Sequence, residues 1–301
     1  MKKNISKKPE TLEHQPVLPA ETLNLLAPQT GEFFVDGTYG NGGHTALILE
    51  AVGSTGRVLG LDRDPQAVRR AKNKFAGRKN FSVAEATYAD LPLVLKKNKL
   101  PMADGVLLDL GFSSFQIDDP ARGFSFQHDG PLDMRYGAEG PTAAEILNSI
   151  SETELADAIY KYGEERFSRR IAKAIVEARR RNKILTTARL AEVVASVLPR
   201  RGKLHPATKT FQALRILTNA ELMQLELFFS RLPECLANRA RVAVISFHSL
   251  EDRMVKNAFR GLAKVGRGRE LTKKPLVASR AEASANPRSR SAKLRAFEFS
   301  K

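Results

Sequence analysis

The residues of this 301-residue chain whose spacing most directly implies chemistry are Asp36-Gly37-Thr38-Tyr39-Gly40-Asn41-Gly42-Gly43-His44 and, about twenty positions on, Asp62. The first group follows the apolar run Phe33-Phe34-Val35, and Asp62 closes Val58-Leu59-Gly60-Leu61. Each therefore sits where a buried strand ends. Glycines let the backbone approach a ligand closely, and an acid at the tip of a second strand can accept from two ribose hydroxyls. The pattern describes a pocket for a nucleoside cofactor. The glycines do not follow G-x-G-x-x-G, and no Gly-Lys-Ser/Thr succeeds them, so a dinucleotide fingerprint and a P-loop are both missing. S-adenosylmethionine needs neither, because it has no pyrophosphate. A tight strand-to-helix turn without a ligand would give the same local pattern. A third carboxylate, Asp109, ends Val106-Leu107-Leu108, where burial is costly unless something pairs with it.

Other chemistries find less support. Cys235 is the one cysteine, and no Cys-x-x-Cys or His-x-x-x-His occurs, so neither a disulfide nor a zinc site is expected. A covalent thiol mechanism would have to use Cys235, around which no motif is found.

These residues need a scaffold. Strands are expected at 33–37, 58–62, 81–85 and 105–110, with helices at 44–52 and 65–76 between them; Asp64-Pro65 reads as a cap and first-turn proline. That rhythm implies parallel βαβ units. It breaks in the Gly-, Pro- and Asp-rich residues 112–141. Helices are then expected at 142–149, 151–161, 164–181 and 186–197, and another from Pro206 to about 231. Helix 164–181 is amphipathic, with Phe167, Ile171, Ala174, Ile175 and Ala178 on one face and Arg169, Arg170, Lys173 and Arg180 elsewhere. A fifth strand, 241–247, follows. Over a hundred residues separate strands four and five, so a helical subdomain is inserted at 117–209 between two parts of one α/β domain, 14–116 and 210–301. Such an insertion lies over the ligand crevice at the carboxyl ends of the strands.

Charge is segregated. The net value is +16; residues 161–209 contribute +10, residues 253–301 contribute +11, and residues 1–8 contribute +4, leaving the rest acidic. Two basic segments suit a polyanion, most simply nucleic acid. Residues 1–13 read as a disordered basic arm. They lack the apolar core of a secretory signal, and no apolar run reaches transmembrane length, so no membrane partner and a cytoplasmic location are expected.

Longer motifs extend the pattern: Leu107-Leu108-Asp109-Leu110-Gly111-Phe112-Ser113-Ser114-Phe115-Gln116, Arg122-Gly123-Phe124-Ser125-Phe126, Pro131-Leu132-Asp133-Met134-Arg135, Tyr162-Gly163-Glu164-Glu165-Arg166, His205-Pro206-Ala207-Thr208, Phe211-Gln212-Ala213-Leu214-Arg215, Ser246-Phe247-His248-Ser249-Leu250-Glu251-Asp252-Arg253 and Asn286-Pro287-Arg288-Ser289-Arg290. With these the chain resembles, over about residues 14–297, the RsmH (MraW) family of S-adenosylmethionine-dependent methyltransferases, which methylate N4 of a cytosine in 16S ribosomal RNA. The resemblance implies a class I, Rossmann-like methyltransferase sheet. It implies cofactor contacts at Gly42, Gly43, His44, Asp62, Tyr88, Asp109 and Gln116, and ribosomal RNA or the small subunit as partner. Monomer and homodimer stay open. The chain departs from the family at Ala237-Asn238-Arg239-Ala240, where Gly-Gly is usual, and at Phe112, a bulkier residue than expected.

The loop after strand four lies where amino-methyltransferases hold the target amine, which makes Ser113 the candidate acceptor. His248 faces the same end of the sheet, and Ser249-x-x-Asp252 fits a capping box. Thr208, Gln212, Arg215 and Asn219 form a helical stripe suited to RNA or interdomain contact. An NAD-dependent oxidoreductase would share Asp62. A DNA or other RNA amino-methyltransferase, and a non-catalytic RNA-binding assembly factor, would share most of the rest.

Overall fold

The computed structural model describes residues 15–198 and 205–301; the expected basic arm at 1–13 lies outside them. The strands are β1 (Phe33–Asp36), β2 (Arg57–Asp62), β3 (Phe81–Glu85), β4 (Ala103–Asp109), β5 (Leu236–Ser246), β6 (Gly268–Glu270) and β7 (Lys293–Phe299). They form one sheet in the order β3-β2-β1-β4-β5-β7-β6. Strands β1 to β5 pair in parallel, and β7 runs antiparallel to both β5 and β6. This is the class I, Rossmann-like sheet. Its order reverses between β1 and β4, and the crevice at that switch point is where such sheets bind ligands.

The helices are α1 (Pro19–Leu26), α2 (Gly43–Val52), α3 (Pro65–Lys74), α4 (Leu91–Lys97), α5 (Ser114–Asp118), α6 (Ala143–Ser149), α7 (Glu152–Gly163), α8 (Ser168–Arg181), α9 (Thr187–Val197), α10 (Thr208–Asn219), α11 (Glu221–Arg231), α12 (Ser249–Lys264) and α13 (Arg280–Ala285). The apolar runs become central strands because both faces of the sheet are covered. Alternate residues serve opposite cores. Phe33, Val35, Leu59, Leu61, Val106 and Leu108 pack with α4, α11 and α12, whereas Phe34, Val58, Leu107, Ala243 and Ile245 pack with α1, α2 and α3. Asp64 caps α3 as expected, its Oδ1 accepting from Gln66 N–H at 2.9 Å.

Helices α6 to α9 gather around a third core that includes Leu147, Leu155, Ile159, Ile171, Ile175, Leu190 and Val194. Helix α10 joins this core through Phe211, Ala213 and Leu214, so the helical unit extends past the boundary expected at 209. Helix α8 starts at Ser168 rather than 164. Glu164 takes a left-handed conformation (φ 48°) that ends α7, and Glu165 Oε1 then accepts from Phe167 N–H at 2.9 Å. Phe167, expected on the apolar face, is instead 39% exposed and lies under the Arg166 guanidinium, 4.9 Å from its ring centre. The single helix expected after Pro206 is two, broken at Ala220 (φ 50°).

The basic tail is also more ordered than its composition implies. It supplies α12, β6, α13 and β7, and β7 completes the sheet beside β5. Strand β5 begins five residues earlier than expected, and its register against β4 is irregular between Leu236 and Arg241; Arg239 (φ 67°) takes a conformation there that glycine would adopt more easily. Among the described residues no helix is long and apolar enough to cross a membrane.

Candidate active site

A cavity of about 630 Å³ opens at the carboxyl ends of β1, β2, β4 and β5, and the helical insertion covers it. It has two ends. The first is built by strand tips. Gly43, His44, Asp62, Tyr88, Asp109, Ser113 and Gln116, all expected from sequence, line the cavity together with Asp36 and Gly40. Gly42 is the exception among the expected residues. It does not line the cavity; it takes φ 68° at the head of α2, and a Cβ there would lie 2.5 Å from the Tyr39 hydroxyl. Its part is to let the loop turn.

Asp62 is held by backbone, with Oδ2 accepting from Gly40 N–H at 2.8 Å and Oδ1 from Asp64 N–H at 2.9 Å. Each oxygen keeps a further lone pair for a hydroxyl. Asp36 accepts from Thr45 Oγ1 at 2.6 Å and from Thr38 N–H at 3.2 Å, and Thr38 Oγ1 in turn accepts from Asp109 N–H at 2.6 Å. One acid thus sets the loop that frames another. Gln116 Oε1 accepts from Ser113 N–H at 2.9 Å, and its Nε2 reaches Asp64 Oδ2 at 3.5 Å. The Tyr88 ring meets Phe228 edge-on at 5.7 Å.

Burial dominates the electrostatics. It pushes the Asp36 and Asp62 carboxyls up to about 6. It pushes Asp109 up to about 8, with the charges of Asp36 and Glu251 adding to the effect. Asp109 Oδ2 lies 3.9 Å from His44 Nε2, while Oδ1 is buried and makes no hydrogen bond.

The second end belongs to the insertion and to α10 to α12. Phe112 stands between the Phe124 ring, 5.9 Å away, and the Arg215 guanidinium, 5.0 Å from its centre; Tyr136 stacks on Phe124 at 5.4 Å. Arg215 grips both oxygens of Glu221 at 2.8 and 2.9 Å, and Tyr136 Oη donates to Glu221 at 2.9 Å. The break at Ala220 makes this possible by turning Glu221 back onto Arg215. Asn219 anchors the break, donating to Met134 O at 2.7 Å and accepting from Tyr136 N–H at 2.8 Å. The stripe Gln212, Arg215, Asn219 is therefore an internal contact surface, with Gln212 Nε2 bonded to Tyr162 O at 2.8 Å.

The capping box expected at Ser249-x-x-Asp252 is displaced by one residue. His248 is the cap, its Nδ1 accepting from Glu251 N–H at 3.4 Å, and Glu251 Oε2 accepts from Phe247 N–H at 2.9 Å. Asp252 turns away to Arg295 and Lys293. Burial pushes Glu251 up, but the hydrogen bond and charge of His248 and the charge of Arg215 outweigh it and hold the carboxyl below its usual range. Glu221, His248 and Glu251 bring ligand atoms within 4.8 Å of one another, a spacing a metal ion could use, but Arg215 already occupies both Glu221 oxygens.

Sequence reasoning nominates neither Asp36 nor Glu221 nor Glu251 for the site. Asp36 and Glu251 stand inside the motifs named above; Glu221 carries no signal, since its place depends on the break at Ala220. Cys235 is buried outside the cavity with its thiol pushed up to about 12 by burial and the charge of Glu234, so it has no nucleophile to offer.

A family model described as the MraW methylase family matches residues 11–300. The protein named Ribosomal RNA small subunit methyltransferase H from Coprothermobacter proteolyticus is 46% identical over 288 residues, covering 95% of this chain and 96% of its own length. The protein of the same name from Deinococcus deserti is 49% identical over 290 residues, covering 96% of this chain and 94% of its own length.

Proposed function

The chain belongs to the MraW methylase family, and we propose that it transfers the methyl group of S-adenosylmethionine to the N4 amine of a cytosine in small-subunit ribosomal RNA. The observation that carries this reading is the continuous cavity, with the strand-tip carboxylates Asp36, Asp62 and Asp109 at one end and an aromatic and arginine wall at the other. The residues present fit the cofactor. Asp62 retains lone pairs for a ribose diol, and Asp109 Oδ1 is a buried acceptor in want of a donor. Gly43, His44, Tyr88 and Gln116 complete the lining, and Gly42 shapes the loop. When bound, S-adenosylmethionine supplies an electrophilic methyl group on a cationic sulfur.

The protein's own contribution is placement and charge. Catalysis by positioning needs the acceptor amine behind the methyl carbon. The insertion, residues 117–209 with α10 added, is the part we assign to holding the RNA. Its α8 exposes Arg169, Arg170 and Lys173 to solvent, where they can meet phosphates. We place the reaction in the cytoplasm, where a ribosomal substrate would be met.

Labelled S-adenosylmethionine should be offered with small ribosomal subunits, naked ribosomal RNA and DNA, and the modified nucleoside identified. N4-methylcytosine in RNA is expected; label in DNA alone, or on carbon 5, overturns the reading. Asp62→Ala should weaken S-adenosylmethionine binding by roughly 1–3 kcal/mol, because it strips a hydroxyl partner from a buried site; unchanged affinity by calorimetry refutes the ribose assignment. Binding should also depend on pH. A cationic ligand favours the ionised form of Asp109, which faces Asp36, Glu251 and His44 and titrates at about 8 when the ligand is absent. Below that value binding must release a proton, so affinity should rise with pH up to about 8 and then level off. Calorimetry at several pH values checks the sign.

A further inference from the structure

Helix α3 and the turn after it carry charge that sums over long segments conceal. Residues 66–79 hold six cations, Arg69, Arg70, Lys72, Lys74, Arg78 and Lys79, and no acid. Acids elsewhere in the α/β domain cancel them in the total. All but Arg70 are exposed. Among the described residues none of the six is ion-paired with a carboxylate. Ala67, Ala71 and Phe75 bury the other side of the helix in the core, so the cations form a strip in water.

Two contacts bring one edge of this strip to the cavity. Lys74 Nζ donates to Asn41 O at 2.9 Å, and Asn41 lines the cavity. One turn earlier, the Arg70 guanidinium lies 4.3 Å from the centre of the Phe115 ring. Phe115 belongs to α5, and its neighbours Gln116 and Ile117 also line the cavity. The ring itself is 53% exposed and stands outside the lining, at the cavity's edge. A lone exposed ring needs no explanation. This one has a guanidinium against one face, and Arg70 Nε and Nη2 are buried without a hydrogen-bond partner. The π face of Phe115 therefore answers a cation that no carboxylate answers, and the remainder of the ring is left in water.

An exposed ring beside a cationic strip suits single-stranded nucleic acid. Bases of any identity stack on the ring, and the backbone follows the charge. A double helix has no use for the ring, because its bases already stack on one another. The position fits as well. A base that reacts inside a cavity has left its own stack, so the nucleotides joined to it lie at the cavity's edge.

We infer that Phe115, backed by Arg70, stacks a base adjoining the target cytosine, and that Lys74 and the other cations of α3 hold the phosphates of that single strand. The inference rests on the function proposed above and places a second RNA contact on the α/β domain, apart from α8.

The chain contains no tryptophan, so Phe115→Trp puts a lone fluorophore at the stacking position. The full-length protein, saturated with S-adenosylhomocysteine, is titrated with a single-stranded oligoribonucleotide bearing one cytidine among adenosines. The titration is repeated with the same oligonucleotide made abasic on both sides of the cytidine. The first should quench the tryptophan and the second should not. Phe115→Ala should lose about 5- to 150-fold in affinity for the first and little for the second, and Phe115→Tyr should restore the loss. Replacing Lys72, Lys74 and Arg78 together with alanine should flatten the slope of log affinity against log salt by about 0.7 unit for each phosphate released. Affinity for S-adenosylhomocysteine should stay unchanged in every variant.

No quenching, equal quenching by both oligonucleotides, or an equal loss on both for Phe115→Ala makes the ring a cover for Arg70 and overturns the stacking. An unaltered salt slope overturns the α3 track. These measurements need no turnover. Should wild type leave no N4-methylcytosine in any RNA, the proposed function fails, and the quenching comparison still decides whether this surface binds a single strand.

Discussion

Helix α8 and strand β7 lie in the two segments that give the chain its positive charge, and they use that charge in opposite ways. On α8, Arg169, Arg170, Lys173, Arg180 and Arg181 are exposed, while Ile171, Ala172, Ile175 and Val176 fill the core beneath. Among the described residues only Lys173 of those five has an acidic partner, Glu177 one turn on at 3.9 Å. On β7, Arg295 is 6% exposed and meets Asp252 at 2.6 Å, and Lys293 meets the same carboxylate at 3.4 Å. Two cations of the tail thus tie β7 to α12. Arg269 on β6 is likewise matched to Glu298 on β7 at 3.0 Å. Other tail cations, such as Arg260 and Lys264, do stay exposed on α12. A charge sum over a stretch of sequence therefore does not say which cations are free to meet a phosphate. Burial and the nearest carboxylate decide it.

The largest effect should come from the pair that holds the buried Arg295. Arg295→Ala leaves the partly buried Asp252 with only Lys293 to answer it. Breaking a fully buried pair costs about 3–5 kcal/mol, and because Asp252 keeps some solvent and Lys293, the loss should fall below that range, at about 1–3 kcal/mol. Urea denaturation reads this directly, while the salt dependence of RNA binding should not move. A variant of normal stability with weakened RNA binding would put β7 in the same class as α8.

The exposed helix predicts the reverse. Replacing Arg169, Arg170 and Lys173 together with alanine should change stability little, since exposed substitutions usually fall within about 0.5 kcal/mol each. RNA binding should weaken, and the slope of log affinity against log salt should flatten by about one unit for each phosphate that the helix no longer neutralises. Cofactor affinity should stay as it was. An unaltered salt slope would reduce α8 to a solubilising surface.

How much of this can be read from sequence follows the same division. The strand-tip end of the cavity is legible because its residues are fixed by local chain: Asp36, Asp62 and Asp109 each close an apolar run, and strand ends in a parallel sheet converge by topology. The far end is not. Glu221 reaches Arg215 only because the chain breaks at Ala220, and that break depends on Asn219 bonding to residues 134 and 136, more than eighty positions away. The strands of the tail are hidden for a related reason. Lys293-Leu294-Arg295-Ala296 alternates as a strand with one face in water would, yet both faces of β7 are covered, and the partner that neutralises the two cations, Asp252, is more than forty residues distant. The left-handed Glu164 that delays α8 carries no glycine to announce it.

The smallest effect, and the sharpest probe of the contrast, lies at Arg288. It belongs to the basic tail, yet it lines the cavity and is 37% exposed, paired with Asp118, itself 72% exposed, at 3.3 Å. An exposed pair of this kind contributes about 0–1 kcal/mol, so Arg288→Ala should hardly change the denaturation midpoint. Its position at the cavity rim sets a different expectation for RNA. If Asp118 already satisfies the guanidinium, the salt slope should stay at the wild-type value. If RNA draws Arg288 off Asp118, the slope should flatten by about one unit, as for a single α8 cation. The two cases separate in one titration series, run beside Asp118→Asn. Freeing Arg288 by that substitution should strengthen RNA binding only if the guanidinium is within reach of a phosphate. A flattened slope for Arg288→Ala with tighter binding by Asp118→Asn would extend the RNA surface from α8 across the cavity mouth into the tail. No change in either would confine it to the insertion.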